Sequence, residues 1–466
     1  MKKIWLSILF FEFGTLFTYL LLFSLELPLI VYEWMLVIAF ILACVLSTKE
    51  KFFNIFQIFL GTFFIFNLSR IFLKLINDSN YRELDLFYSG VLSYTDSIEL
   101  LKVYTVFIFG ITIAWTLNYI FLKQHEQTFV ALKLISIKNF ITYGLVVYYV
   151  LFFIKMLITI KLTQQFGYLY IFTGGISNYN FPFFLTGVEN ITRFLFILYL
   201  FLNKSKVNKF IIMGYLFVLL FGMLSGQRGP GLVTLLLIAW IYSERYKKIN
   251  LRKVLYISLF SILATRFIAV FRYDNKESIT ENIIFKFLNS QGISMNILAE
   301  LITFKDKLVY NGNVYFFHYF KILFNPNQGG QTIERLNNTT YLGDQLTYFL
   351  SPEIYLAGRG TGTSLVAEFY DLTQTNMFLF FTVSLLFMFG SLWLAKNFQR
   401  NIFLFIIGFN YFYSFIYSPR DSIGKSLNYI KNDFLLLICV VLIASILYKS
   451  RDVFVTHTYK RRGINA

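Results

Sequence analysis

The stretch "FIIMGYLFVLLFGMLSGQRGPGLVTLLLIAWIY" (residues 210–242) holds two apolar runs joined by "GQRGPG" (226–231), six residues that include three glycines, a proline and one arginine. Runs of this kind approach the roughly 17–25 residues that a helix needs to cross a bilayer core. A helix also satisfies its own backbone polar groups, as the hydrocarbon core requires. The stretch therefore predicts a hairpin of two short membrane helices, 210–225 and 231–243, turning at an arginine. The same pattern recurs along the whole chain. Apolar windows fall at about 4–24, 28–46, 52–75, 100–122, 139–160, 182–202, 210–225, 231–243, 254–271, 375–395, 401–418 and 432–448. With 466 residues, 57% of them hydrophobic, and 58 Phe and 32 Tyr, a soluble interior is too small for this much apolar surface. The mean hydropathy of +0.62 agrees.

The expected fold class is all-α, a polytopic integral membrane protein of about twelve transmembrane helices. The segments read as helices 1–9 over 1–271, a large extracytoplasmic helical cap over 272–374, helices 10–12 over 375–448, and a cytoplasmic tail over 449–466, one membrane domain overall. In the cap segment, "SITENIIFKFLNSQGISMNILAELITF" has helical apolar spacing, and "NPNQGGQT" and "YLAGRGTGT" are turn-rich breaks. The first run follows "MKK" and lacks a small-residue cleavage site, so it reads as a retained helix. Cys44 and Cys439 both lie inside apolar runs, which indicates neither a disulfide framework nor a cysteine metal site.

Charge sets the orientation. "MKK", "TKEK", "KQHEQTFVALKLISIK", "NKSKVNK", "ERYKKINLRK", "KNFQR" and "YKSRDVFVTHTYKRR" alternate with the spans and carry 22 of the 42 Lys and Arg. Cytoplasmic loops collect such residues, so both termini are expected in the cytoplasm. The segment 272–374 carries 8 basic and 10 acidic residues in a chain of net charge +17. The positive excess is thus spread over loop ends and forms no basic domain, which argues against nucleic acid as a partner.

The other basic residues lie at or near the opposite ends of the spans. Arg193 lies within the sixth span, Arg266 and Arg272 in the outer half and at the end of the ninth, Arg228 at the hairpin turn, and Arg420 after the eleventh in "YSPRDS". A Lys or Arg at bilayer depth costs about 2.5–3.5 kcal/mol, so it faces a protein interior or a wet cavity. The set calls for an anionic partner, and a phosphate-bearing lipid suits the guanidinium fork. Gly226 and Gly229 beside Arg228 let backbone N–H groups approach an anion, and Pro230 suits a first helical turn. Arg193 also follows Glu189 by four residues, the spacing of an intrahelical ion pair.

A second constellation is "GRGTGTSLVAEFYDLTQTNMF" (358–378). Thr363 and Ser364 are capping residue types, and Glu368 follows a turn later among apolar neighbours. A carboxylate in such surroundings has a raised pKa and suits general-base work; its alternative is a first-turn acid paired with Arg359. His318 is the only extracytoplasmic histidine, a second base candidate or a packing residue in an aromatic stretch. No HExxH, CxxC, Walker or Rossmann pattern is present, so neither a metal nor an ATP-driven step is called for.

The order of these features resembles the Wzy-type repeat-unit polymerases of O-antigen and capsular polysaccharide. Their "S-G-x-R-G" turn is matched by Ser225, Gly226, Arg228 and Gly229, and their "G-x-G-x-S-x-x-A-E-x-Y" stretch by Gly360, Gly362, Ser364, Ala367, Glu368 and Tyr370. Where many relatives continue "N-F-G", this chain has "DLT" (371–373). The resemblance implies a GT-C-like, metal-independent glycosyltransferase without a cofactor in a bacterial cytoplasmic membrane. It would move a growing glycan from polyprenyl (undecaprenyl) pyrophosphate to a sugar hydroxyl of a lipid-linked repeat unit. Its implied partners are that lipid-linked oligosaccharide, the bilayer, and a chain-length regulator and flippase of the same pathway. In this reading Arg228, Glu368 and His318 are the catalytic candidates. Arg193, Arg266, Arg272, Arg359 and Arg420, with Gly226 and Gly229, bind pyrophosphate or glycan. The alternatives are an O-antigen ligase, which would lean on a loop histidine, and a flippase, which would carry cations through the full bundle depth.

Overall fold

A computed structural model of the chain describes residues 2–49, 53–76, 86, 90–121, 138–167, 170, 175, 179–203, 207–224, 228–247, 249, 283–305, 307–308, 320, 330–338 and 341–461. Its helices are α1 (Lys2–Leu22), α2 (Leu29–Ser47), α3 (Ile55–Ile76, with a π-turn over Phe64–Leu68), α4 (Tyr94–Phe121), α5 (Lys138–Phe166), α6 (Val188–Leu202), α7 (Lys209–Leu224) and α8 (Arg228–Arg245). Then follow α9 (Ile283–Gln291), α10 (Met295–Phe304), α11 (Ile333–Asn338), α12 (Leu342–Leu350), α13 (Pro352–Leu356), α14 (Leu365–Leu372), α15 (Met377–Asn397), α16 (Ile402–Tyr417) and α17 (Lys425–Arg461).

Seven described helices are long and apolar enough to cross a membrane: α1 to α5, α15, and α17 as far as Ile443. This supports a polytopic membrane protein, with fewer full-length spans than the twelve expected. Four further expected spans are shorter helices, α6 with 15 residues, α7 and α16 with 16, and α8 with 18. The expected ninth span, 254–271, lies outside the described residues. Within 272–374 the described residues form short helices, as the turn-rich breaks predicted.

The bundle is built around α4, in which every residue from Val103 to Thr116 is buried. Helix α1 packs antiparallel to it, with Trp5 against Tyr119 (ring centroids 4.1 Å) and Tyr19 against Phe109 (5.3 Å). Helix α15 packs parallel to it, and there Gly110 is the close point: a Cβ on it would lie 3.1 Å from the Ser384 Cβ. Small residues at such contacts let membrane helices approach closely. Helices α2 and α3 are joined by a capping box. Asn54 accepts from the Gln57 N–H (2.9 Å), Gln57 accepts from the Asn54 N–H (3.2 Å), and the Asn54 amide donates to the Ser47 carbonyl (3.1 Å).

The helix ends sort into two faces. At the face holding the N-terminus, Lys396 donates to the Asn118 carbonyl (3.2 Å), Arg245 to the Leu200 carbonyl (2.6 Å), and the Asn208 N–H to Tyr199 (2.9 Å). The other, distal face holds the Tyr94 bond to the Leu27 carbonyl (2.7 Å), the Lys74–Glu33 ion pair (2.5 Å) and the Thr303–Asp96 bond (3.3 Å). Helix α16 is about 24 Å long at 1.5 Å per residue, short of a hydrocarbon core of ~30 Å. The loop that follows it, 418–424, therefore lies recessed below the distal ends of the longer helices. The contacts of that loop show the same: its Pro419 carbonyl accepts from Asn67, nine residues before the end of α3.

Candidate functional site

The recess is assembled from segments far apart in sequence. Arg228 opens α8, and the next residue, Gly229, lies against Tyr417 at the end of α16; a Cβ there would run into the Tyr417 hydroxyl and ring. Gly231 abuts Met223 across the hairpin in the same way. The glycines of the turn thus let α8 start directly beside the 418–424 loop.

The loop itself is held from four sides. Asn67, on the π-turn of α3, donates to the Pro419 carbonyl (2.9 Å) and accepts from Tyr104 (3.1 Å). Arg420 donates to the Gln291 side chain, and its guanidinium lies 5.4 Å from the centre of the Phe66 ring. Asp421 accepts from Lys425, from Tyr341 (3.3 Å) and from the Ser422 N–H (2.8 Å). The Ser418 carbonyl accepts from the Leu365 N–H (2.9 Å), which docks the loop onto the start of α14.

Glu368 sits at that joint. Ser422 donates to one carboxyl oxygen (2.7 Å) and Thr363 to the other (3.2 Å), and the residue is 1% exposed. Burial pushes its carboxyl up to about 8; the neighbouring Asp421 acts in the same direction, while the hydrogen bonds of Ser422 and Thr363 and the charge of Lys425 oppose the rise. Ser364 caps α14 by accepting from the Ala367 N–H (3.3 Å), the local reason why the helix starts there. Gly362 has φ +77°, a conformation open to glycine, and its carbonyl lies where a Cβ on Gly343 would fall. Beyond the joint, Asp344 accepts from Arg335 (2.8 Å); burial still raises its carboxyl, against the pull of Arg335.

The expected site residues separate into three groups. Glu368 and Arg420 belong to the 418–424 loop and its joint with α14, and Gly229, next to Arg228 in the first turn of α8, touches Tyr417 just before that loop. Arg359 is exposed, and the carboxyl of Glu368 engages Thr363 and Ser422. Arg193 is elsewhere, in the helix bundle: it binds Asp433 (3.1 Å), stacks over Tyr429 (4.3 Å), and Asn410 donates to the same Asp433 (2.6 Å). Its partner is therefore Asp433 of α17, whereas Glu189 pairs with Lys155 (3.2 Å). His318, Arg266, Arg272 and Gly226 lie outside the described residues.

Sequence reasoning passed over Asn67, Gln291, Tyr417, Ser422 and Asp433. Asn67 and Asp433 carried a signal, as polar groups inside apolar runs. Ser422 and Asp421 stood inside the quoted "YSPRDS" but gave no reason to prefer them. Among the described residues no three His, Cys, Asp or Glu side chains gather as a metal site. The loop thus carries one guanidinium, held by Gln291, and it adjoins a buried carboxyl and the helix that starts at Arg228; a guanidinium and a helix N-terminus are each groups that bind anions.

No curated protein and no solved structure matches this chain. The model of one family does, that of the O-antigen polysaccharide polymerase Wzy, over residues 3–451. A match of that extent takes in the hairpin, the recess and the distal helices alike, and the chain belongs to the Wzy O-antigen polysaccharide polymerase family.

Proposed function

We propose that the recess binds the pyrophosphate of a lipid-linked glycan and transfers that glycan to a second lipid-linked repeat unit, at the outer face of a bacterial cytoplasmic membrane. The acceptor sugar hydroxyl forms a bond to the anomeric carbon of the donor. The bond from that carbon to the pyrophosphate oxygen breaks, and polyprenyl pyrophosphate leaves with the electron pair. The hydroxyl proton passes to a protein base. The observation that carries this reading is the position of Arg420, on a loop that starts next to Tyr417, the residue packed on Gly229 in the first turn of α8, and that reaches Glu368 through Ser422. Fixed cations aimed at a leaving group that gains charge stabilise the transition state. Arg266, Arg272 and Arg359 are proposed to support binding of the donor or acceptor. Arg193 has its charge taken up by Asp433, and we assign it to holding α6 against α17. A chain-length regulator and a flippase of the same pathway are the proposed protein partners.

Glu368 is the proposed base, since its raised pKa suits proton acceptance near neutral pH. Its burial favours a second reading, in which Glu368 is a positioning residue that fixes the Arg420 loop through Ser422. The test is reconstitution in liposomes with a synthetic lipid-linked repeat unit, read as a ladder of products on a gel. Arg420→Ala and Arg228→Ala should each reduce long-chain product by about 10²-fold or more while the protein stays folded. Persistent long chains in both variants would overturn the assignment.

A further inference from the structure

Helices α2 and α3 are tied at both ends, by Asn54 to the Ser47 carbonyl at one and by Lys74 to Glu33 at the other. Between these ties their side chains leave a hollow, and Phe40 of α2 still meets Phe64 of α3 across it (5.6 Å). The gap is a groove of about 720 Å³ lined by Leu36, Phe40, Cys44, Gly61, Ile65 and Phe72, among others, with Leu236 of α8 also on its wall. Its polar lining is confined to Ser47, Thr48, Gln57 and Thr62, which lie toward the N-terminal face of the bundle. The π-turn gives a reason for the hollow, because one extra residue per turn bows α3 at mid-length. From Gln57 to Phe72 the groove follows α3 for 15 residues, about 22 Å of rise.

The same π-turn faces two ways. Phe64, Ile65 and Leu68 line the groove. Phe66 lies under the Arg420 guanidinium, and Asn67 holds the Pro419 carbonyl. The groove and the cationic recess are therefore separated by one helix width, about 10 Å. We propose that the groove holds the isoprenoid chain of a lipid carrier whose anionic head sits in the recess. This proposal rests on the lipid-carrier reading above.

Two observations select this occupant over a bulk phospholipid. The recess is deep: Asn67 lies nine residues, about 13 Å, before the distal end of α3, whereas a phospholipid phosphate stays at the interface. The groove is also lined by aromatic rings, Phe40 against Phe64 (5.6 Å) and Phe64 against Phe72 (5.3 Å), whose faces suit the methyl groups and double bonds of an isoprenoid chain.

Gly61 gives the test. It is exposed on the groove wall, and a Cβ there meets nothing within 4 Å, so a side chain at this position starts into open space and Gly61→Phe narrows the groove. Reconstituted protein is assayed with repeat units on a full-length polyprenyl pyrophosphate and on a carrier of two isoprene units. Gly61→Phe should raise KM for the long carrier about tenfold or more and leave the short carrier within about twofold. Equal effects on both carriers, or no effect on either, overturn the proposal. Gly61→Leu, with a smaller side chain, should show an intermediate KM for the long carrier; a larger effect than Gly61→Phe also overturns it.

A second measurement does not depend on turnover. A diazirine-bearing polyprenyl phosphate should label α2 and α3 in the wild type, label Gly61→Phe weakly, and be displaced by unlabelled polyprenyl phosphate. Displacement by bulk phospholipid alone would make the groove a general lipid site and overturn the proposal. Absent polymerisation with intact labelling would instead count against the polymerase chemistry and leave the groove assignment standing.

Discussion

At the scale of single residues, Glu368 joins structure to chemistry. Burial raises its carboxyl to about 8, above the unfolded value near 4.3. The native state therefore keeps a proton that the unfolded chain releases. Stability contributed by this group is full below the unfolded value and declines as pH rises toward about 8. The thermal midpoint of purified protein in detergent should fall between about pH 5 and 8.5, and Glu368→Gln should flatten that fall. Activity separates the two roles. A base must be ionised, so the rate would rise with an apparent pKa near 8 and Glu368→Gln would lose about 10²-fold or more. A positioning carboxyl is replaceable by an amide that can still meet Ser422 and Thr363. Glu368→Gln would then keep most of the rate and an unchanged pH profile.

At the scale of elements, the helices were legible because apolar runs of membrane length need no knowledge of their neighbours. The two helices of the hairpin were readable for the same reason, although α8 begins at Arg228, inside the expected turn, and so was the start of α14, where Ser364 caps a short apolar stretch. Partners between elements were not legible. Arg193 has Glu189 four residues away, yet it binds Asp433, 240 residues on, because α6 lies against α17. Ser422 reaches Glu368 only because the loop after α16 docks on α14. The π-turn in α3 falls on Phe64–Leu68, a stretch that is apolar apart from Asn67 and carries no local signal for an extra residue in the turn. Element contacts can be tested where helices touch most closely. At Gly110, a new Cβ would lie 3.1 Å from the Ser384 Cβ and 3.2 Å from the Phe381 carbonyl oxygen, and the backbone of α15 cannot turn aside as a side chain can. Gly110→Leu should cost about 1–3 kcal/mol of stability by overpacking, read as a lower thermal midpoint. Gly390→Leu, on the same α15 with nothing within 4 Å, is the control and should leave the midpoint unchanged.

At the scale of the whole molecule, the two faces of the bundle differ in charge, and that difference predicts how it sits in the membrane. Lys49, Lys209, Arg245, Lys247, Lys396 and Arg400 belong to helix ends on the face that holds the N-terminus. The recess and the short helices of 283–356 belong to the distal face, where basic side chains stand with acidic partners, Lys74 with Glu33 and Arg335 with Asp344. Lys and Arg in short loops are retained in the cytoplasm. The N-terminal face should therefore be cytoplasmic and the recess should face outward. The two native cysteines make this simple to measure. With Cys44→Ser and Cys439→Ser as background, single cysteines are placed at Phe183, which is 94% exposed between α5 and α6, and at Arg400, between α15 and α16. A membrane-impermeant maleimide should label Phe183→Cys in intact cells and Arg400→Cys only after the membrane is opened. The reverse pattern would turn the 418–424 loop and Arg420 toward the cytoplasm and overturn the outward-facing site of the proposed function.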